Sequence, residues 1–103
     1  MKLAAIILSA ALLAAPATAQ TREQIELCTV LGEAAESIMT DRQNGISMSE
    51  MMRLADGVEV IQALIMSAFS VPRLYSLGDR RAAIGGFREG VENTCFTYAG
   101  EPA

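Results

Sequence analysis

Cys28 and Cys95 have the most definite chemistry of any residues in this sequence. A pair of thiols can close a disulfide, cycle as a redox couple, or supply a nucleophile. The chain has no Cys-x-x-Cys and no His to activate either thiol. The pair therefore reads as a structural disulfide, and with two Cys its connectivity is unambiguous. The missing imidazole also removes a Ser-His-Asp triad and any His ligand for zinc. Two thiolates cannot build a four-Cys metal site, so the reading includes no metal and no cofactor.

Three further sets of side chains could act. Met39, Met48, Met51, Met52 and Met66 could form a soft client-binding or copper-binding surface. Four of them fall on apolar stripes or staples, where core packing accounts for them, which leaves Met52 as the candidate for a surface. Arg73, Arg80, Arg81 and Arg88 could grip a carboxylate or phosphate. With Met52 they make the candidate partner surface. Asp79, Glu89 and Glu92 lie on or near the same helix, as in an ordinary solvated face of mixed sign. Glu23, Glu26, Glu33 and Glu36 could pair as catalytic carboxylates, but surface charge on an amphipathic helix explains them without chemistry. No catalytic residue is assigned. Tyr75 and Tyr98 flank the last helical segment and read as half-buried covers.

The sequence also carries an address. Met1-Lys2 is a short positive start, Leu3 to Ala15 is apolar apart from Ser9, and Pro16 precedes Ala17-Thr18-Ala19. This is the order of a secretory signal peptide, with cleavage expected after Ala19. The apolar run is shorter than the roughly 20 residues that span a bilayer. No stable membrane span is therefore expected after cleavage. The expected organisation is a signal peptide over 1–19 and one domain over 20–103, in the periplasm or secreted. Cleavage removes Lys2, the sole Lys, leaving seven Arg against twelve acids and a net charge of −5. Schiff-base chemistry on lysine then disappears. The acidic balance and the 5% aromatic content argue against a nucleic-acid surface. So small a domain buries only about 60–65% of its unfolded surface. A disulfide closing a loop of nearly 70 residues would add about 4 kcal/mol in the chain-entropy model.

The elements that must position these residues read as helices throughout. Thr21 and Gln24 form a capping box, and Ile25, Cys28, Leu31, Ala35 and Ile38 recur at three or four, which predicts a helix over 22–43 ending at Asn44-Gly45. Ser47 and Glu50 form a second box with Ile46 and Met51 as its staple. Asp56-Gly57 is a break or kink. Val58 to Phe69 is apolar nearly all round, which predicts a helix over 58–70 stopped by Pro72. A strand over Val58–Met66 is disfavoured by its poor alternation. Ser76 and Asp79 open a last helix over 77–97, and 98–103 reads as a frayed tail. Gly85, Gly86 and Gly90 lie on or beside the stripe of that helix. Close approach of a neighbouring helix would offset their cost of about 1 kcal/mol each. A break at Gly85-Gly86 is the alternative.

The fold class expected is all-α, a bundle of three or four helices pinned by one disulfide. The bridge brings the start of the first helix to the end of the last, so the two run antiparallel if they pack lengthwise, and the middle apolar helix closes the bundle. That helix is apolar enough to suggest a homodimer through Ile61, Leu64, Ile65 and Phe69.

A Cys in the first helix, Ile38-Met39, Arg42-Gln43, Gly45, Met48 and Met51 are followed by Pro72-Arg73 and by Arg80-x-x-x-Ile84-x-x-Phe87 before Cys95. In this the chain resembles small exported proteins of bacteria and their phages that have no assigned activity. In architecture it is also loosely similar to acid-stress chaperones of the HdeA type. That resemblance carries no function; the reading of the residues is a non-enzymatic protein that binds or stabilises another macromolecule in the envelope. The alternative, on grounds of charge, is an acid-responsive periplasmic chaperone. Protonation of the carboxylates at about pH 3–5 would leave the arginines dominant and open an apolar surface by self-repulsion. A small hydrolase is the third class.

Overall fold

The computed structural model describes residues 19–99. The expected signal peptide falls almost wholly outside them. Four helices follow one another: α1 (Arg22–Gln43), α2 (Met48–Ala55), α3 (Glu59–Ala68) and α4 (Leu77–Ala99). No strand occurs among the described residues. The protein is an all-α bundle with a Cys28–Cys95 disulfide, its Cα atoms 5.5 Å apart.

Local chemistry sets the helix ends. Thr21 Oγ1 accepts from the Gln24 amide at 3.1 Å, and Gln24 Oε1 accepts from the Thr21 amide at 2.8 Å, a complete capping box. At the other end of α1, Asn44 and Gly45 bond back to Thr40 and Arg42, with Gly45 at φ +89°. Glycine adopts that left-handed geometry without strain. Ser47 caps α2 through the Glu50 amide at 3.2 Å. Asp56 at φ 47° and Gly57 at φ 78° turn the chain into α3.

α3 is shorter than its apolar pattern suggests. Val58 is its N-cap in extended backbone, and the helix ends at Ala68 with Phe69 as C-cap. The Ser70 and Val71 amides then bond Ser67 and Ala68 in a tightened last turn before Pro72. α4 begins where Ser76 Oγ accepts from the Asp79 amide at 3.0 Å. It runs unbroken through Gly85-Gly86 and past the expected end, so Tyr98 and Ala99 are helical rather than frayed. Two glutamines from the start of the domain stabilise that last turn: Gln24 Nε2 donates to Ala99 O at 2.7 Å and Gln20 Nε2 to Phe96 O at 3.1 Å. Both satisfy carbonyls that a helix end leaves open.

α4 packs along α1, while α3 packs on α1 and α2. The core gathers Ile38 and Met39 of α1, Met51 and Ala55 of α2, and Ile65 and Ala68 of α3. α4 contributes no fully buried residue; Ile84 and Phe87 only lean on the core. The expectation that the middle helix closes the bundle is therefore corrected. Ten residues of α3 cover one end of the long α1–α4 pair and leave the other end open.

Candidate functional site

The α1–α4 pair is antiparallel and laced at intervals. Cys28 meets Cys95, Gly32 faces Glu92, and Glu36 meets Arg88. A Cβ added at Gly32 would stand 2.6 Å from Glu92 Cγ, so any larger residue there must displace the Glu92 side chain. Arg88 is held between two carboxylates, donating to Glu36 and, through Nε at 3.0 Å, to Glu92. Hydrogen bonding to Glu36, then to Glu92, raises the Arg88 guanidinium above its ordinary pKa.

Beside this seam lies an open apolar trough of about 740 Å³. Leu27 and Leu31 of α1 form one wall and Val60 and Leu64 of α3 another. Phe87 and Val91 of α4 complete it, with Gly86 and Gly90 on its floor and Tyr98 at one end. Among the described residues no charged side chain lines it; its polar groups there are the hydroxyls of Ser67, Thr94 and Tyr98. A concavity of a few hundred to a thousand Å³ with apolar walls and few polar groups has the physical character of a binding site. Among the described residues it opens because α3, ten residues long, lies along only part of the α1–α4 pair.

The glycines of α4 are used differently from the sequence expectation. An added Cβ at Gly85, Gly86 or Gly90 would meet nothing within 4 Å. Among the described residues no neighbouring helix packs on them; Gly86 and Gly90 line the trough instead.

The four arginines of the candidate partner surface have different surroundings. Arg88 is occupied by Glu36 and Glu92. Arg73 and Arg80 serve the chain itself: Arg73 Nε donates to Gln43 O at 3.3 Å and Arg80 Nε to Leu74 O at 2.6 Å. Arg81 alone of the four is an exposed arginine with no side-chain bond among the described residues. Met52 is half-buried against the core rather than presented to solvent; the exposed methionines are Met48 and, more fully, Met66 at 62%. Met39 and Met51 are buried, as their stripes require. Of the four acids, Glu36 joins the ion pair while Glu23, Glu26 and Glu33 are exposed. Tyr75 is fully exposed, so it covers nothing.

The apolar set assigned to a dimer also divides. Ile65 is 1% exposed and lies in the core. Ile61 and Phe69 pack against that core, and Phe69 lies under the Arg42 guanidinium at 4.5 Å. Leu64 alone of the four lines the trough.

A second cluster, which sequence reasoning missed as such, holds the α3–α4 linker. Gln43 is 1% exposed. Its Nε2 donates to Pro72 O at 3.0 Å and its Oε1 accepts from the Leu74 amide at 2.8 Å. Arg42 Nε donates to Val71 O at 3.1 Å. Arg42, Gln43, Gly45, Pro72, Arg73 and Arg80, all part of the sequence pattern described above, thus meet in one structural clamp. The signal was the Arg42-Gln43 pair at a helix end facing a Pro-containing linker. Nothing in the spacing says which carbonyls it reaches.

Among the described residues, no group of three or more His, Cys, Asp or Glu comes together to hold a metal ion, and no helix is long and apolar enough to cross a membrane. The fold and site define a single-disulfide helical bundle with an uncovered apolar trough. No family model, curated protein or solved structure matches the chain.

Proposed function

We propose that this protein is an exported, non-enzymatic binding protein of the bacterial envelope and that the trough between α1, α3 and α4 is its binding site. The trough carries the reading: an apolar, charge-free concavity on an otherwise acidic molecule is suited to shelter an apolar surface. The lacing of α1 to α4 by the disulfide and the Arg88–Glu36 ion pair holds two of its walls at a set distance without filling it. Export is supported by the signal-peptide pattern of residues 1–19 and by a disulfide, which persists in oxidising compartments.

The test is a titration of dilute oxidised protein with an anilinonaphthalene dye, whose fluorescence rises on entering an apolar site. One saturable site is expected. Leu31→Gln and Val91→Gln, on opposite walls, should each weaken it at least tenfold while far-ultraviolet circular dichroism is retained. Equal dye affinity in wild type and both variants would place binding elsewhere and end the trough reading. Cell fractionation with the native N-terminal segment tests export, and recovery of the protein from the cytoplasm would overturn that part.

A further inference from the structure

The clamp on the α3–α4 linker is basic as well as polar. Arg42, Arg73 and Arg80 each use only Nε to hold it. Arg42 Nε donates to Val71 O at 3.1 Å, Arg73 Nε to Gln43 O at 3.3 Å and Arg80 Nε to Leu74 O at 2.6 Å. Among the described residues the Nη groups of these three make no hydrogen bond, and none of the three joins an ion pair; both ion pairs there belong to Arg88. The guanidiniums are held rather than free to swing. That of Arg42 lies 4.5 Å over the Phe69 ring, and that of Arg73 lies against Gly45, with its Cζ 3.1 Å from where a Cβ would stand. Arg42 and Arg80 are half-buried.

We propose that Arg42, Arg73 and Arg80 form a binding site for a phosphate group, at the corner where the end of α1, the linker and the start of α4 meet. Their anchors span the linker from Val71 to Leu74, whose ends can be no more than about 11 Å apart. Three like charges on so short a stretch repel one another, and a clamp does not need them: the uncharged Gln43 already serves both Pro72 O and the Leu74 amide. A half-buried cation wants a counter-charge. Guanidinium N–H groups match phosphate oxygens in geometry, and a fixed fork loses little freedom on binding. A phosphate carries more charge and more acceptor oxygens than a single carboxylate, which suits three arginines better. The start of α4, a 23-residue helix, adds its positive end at the same corner. Two acids stand next to these arginines in sequence. Asp41 lines a small hollow with Ile38, Met51 and Ile65, and Asp79 is exposed in the first turn of α4. Neither forms an ion pair among the described residues. None of the three arginines lines the trough, so this site stands apart from the apolar one and does not depend on it.

The experiment is calorimetric titration of the oxidised protein with pyrophosphate at low salt, repeated with vesicles of phosphatidylglycerol and of phosphatidylcholine. Saturable binding is expected. Arg73→Gln and Arg80→Gln should each weaken it at least tenfold. Arg81→Gln removes the same charge one residue along, from an arginine with no anchor, and should leave the affinity nearly unchanged. Arg73 is exposed, so its variant should keep the wild-type thermal midpoint. Binding of pyrophosphate without vesicles supports a soluble phosphate compound as the ligand. Binding to phosphatidylglycerol vesicles that Arg73→Gln abolishes, and that phosphatidylcholine does not support, points to a lipid headgroup. The site is overturned if pyrophosphate gives no saturable binding and vesicle binding is absent or survives Arg73→Gln. It is equally overturned if Arg81→Gln weakens binding as much as Arg73→Gln does, because net charge alone would then account for it.

Discussion

Replacing Gln43 with Leu tests whether the clamp on the α3–α4 linker contributes to stability. The side chain is 1% exposed, and its amide serves two backbone groups, Pro72 O at 3.0 Å and the Leu74 amide at 2.8 Å. Leucine matches its size but can serve neither. A buried polar group left without a partner costs about 1–3 kcal/mol. Leu74 is half-buried, so its amide should bear most of that cost, whereas Pro72 is exposed and its carbonyl can turn to water. The expected loss is therefore about 2 kcal/mol. A chain of this size has a total stability of about 4–12 kcal/mol, so the loss is a substantial fraction. With a urea slope of about 1 kcal/mol/M, the midpoint should fall by about 2 M at unchanged slope. Hydrogen exchange supplies the local readout, with the Leu74 amide changing from protected to fast. A midpoint shift below about 0.5 M, or a Leu74 amide that stays protected, would refute the reasoning. Gln43→Glu adds a test of sign. Protonated, the carboxyl can donate to Pro72 O and accept from Leu74, as glutamine does. Ionised, it is a buried charge facing a carbonyl, so its folded pKa must rise above the unfolded value of about 4.3. A group raised on folding contributes stability that is full below the unfolded pKa and lost as pH climbs through the folded one. That variant should be more stable at pH ~4 than at pH ~7, relative to wild type.

Three further outcomes follow from packing. Cys28→Ser with Cys95→Ser opens a loop of sequence separation 67 and should lower stability by about 4 kcal/mol in denaturant titration; an unchanged midpoint would show that the α1–α4 seam holds without it. Gly32→Ala should be neutral or destabilising in wild type, where its methyl meets Glu92 Cγ, yet stabilising by about 1 kcal/mol in a Glu92→Ala background; additivity across that double-mutant cycle would contradict the close approach. Ile65→Ala should cost about 2–5 kcal/mol by emptying the α1–α2–α3 core, and Ile65→Asp should cost at least as much; thermal melts that superimpose on wild type would place Ile65 outside the core.

Much of the fold was legible in residue order because its determinants are local. The capping pair Thr21–Gln24 and the cap residues Ser47 and Ser76 each act within one helical turn. The stripe through Cys28, Ala35 and Ile38 reads correctly because a helix repeats its face every 3.6 residues whatever it packs on. The end of α4 was misplaced because the groups that hold it, Gln20 and Gln24, lie more than seventy residues away. The contacts of Arg73 and Arg80 were not legible, since a guanidinium's type does not reveal which backbone carbonyl its Nε reaches. Met52 looked open because its helix is short and its neighbours come from other elements.

The sequence by itself determined that the chain is helical and where most of its helices begin. It also determined that its two thiols pair, which makes the first and last helices antiparallel once they pack lengthwise. Turn-by-turn hydrogen bonding and a single possible disulfide leave few alternatives. Only the tertiary structure decided what covers what. Ten residues of α3 cannot span α1 and α4, which are 22 and 23 residues long, so an apolar trough opens where the pattern promised a closed bundle. Coverage depends on relative helix lengths and on where the linker is clamped, which no local periodicity records. The same glycines that suggested tight packing inside the domain therefore end on its open face.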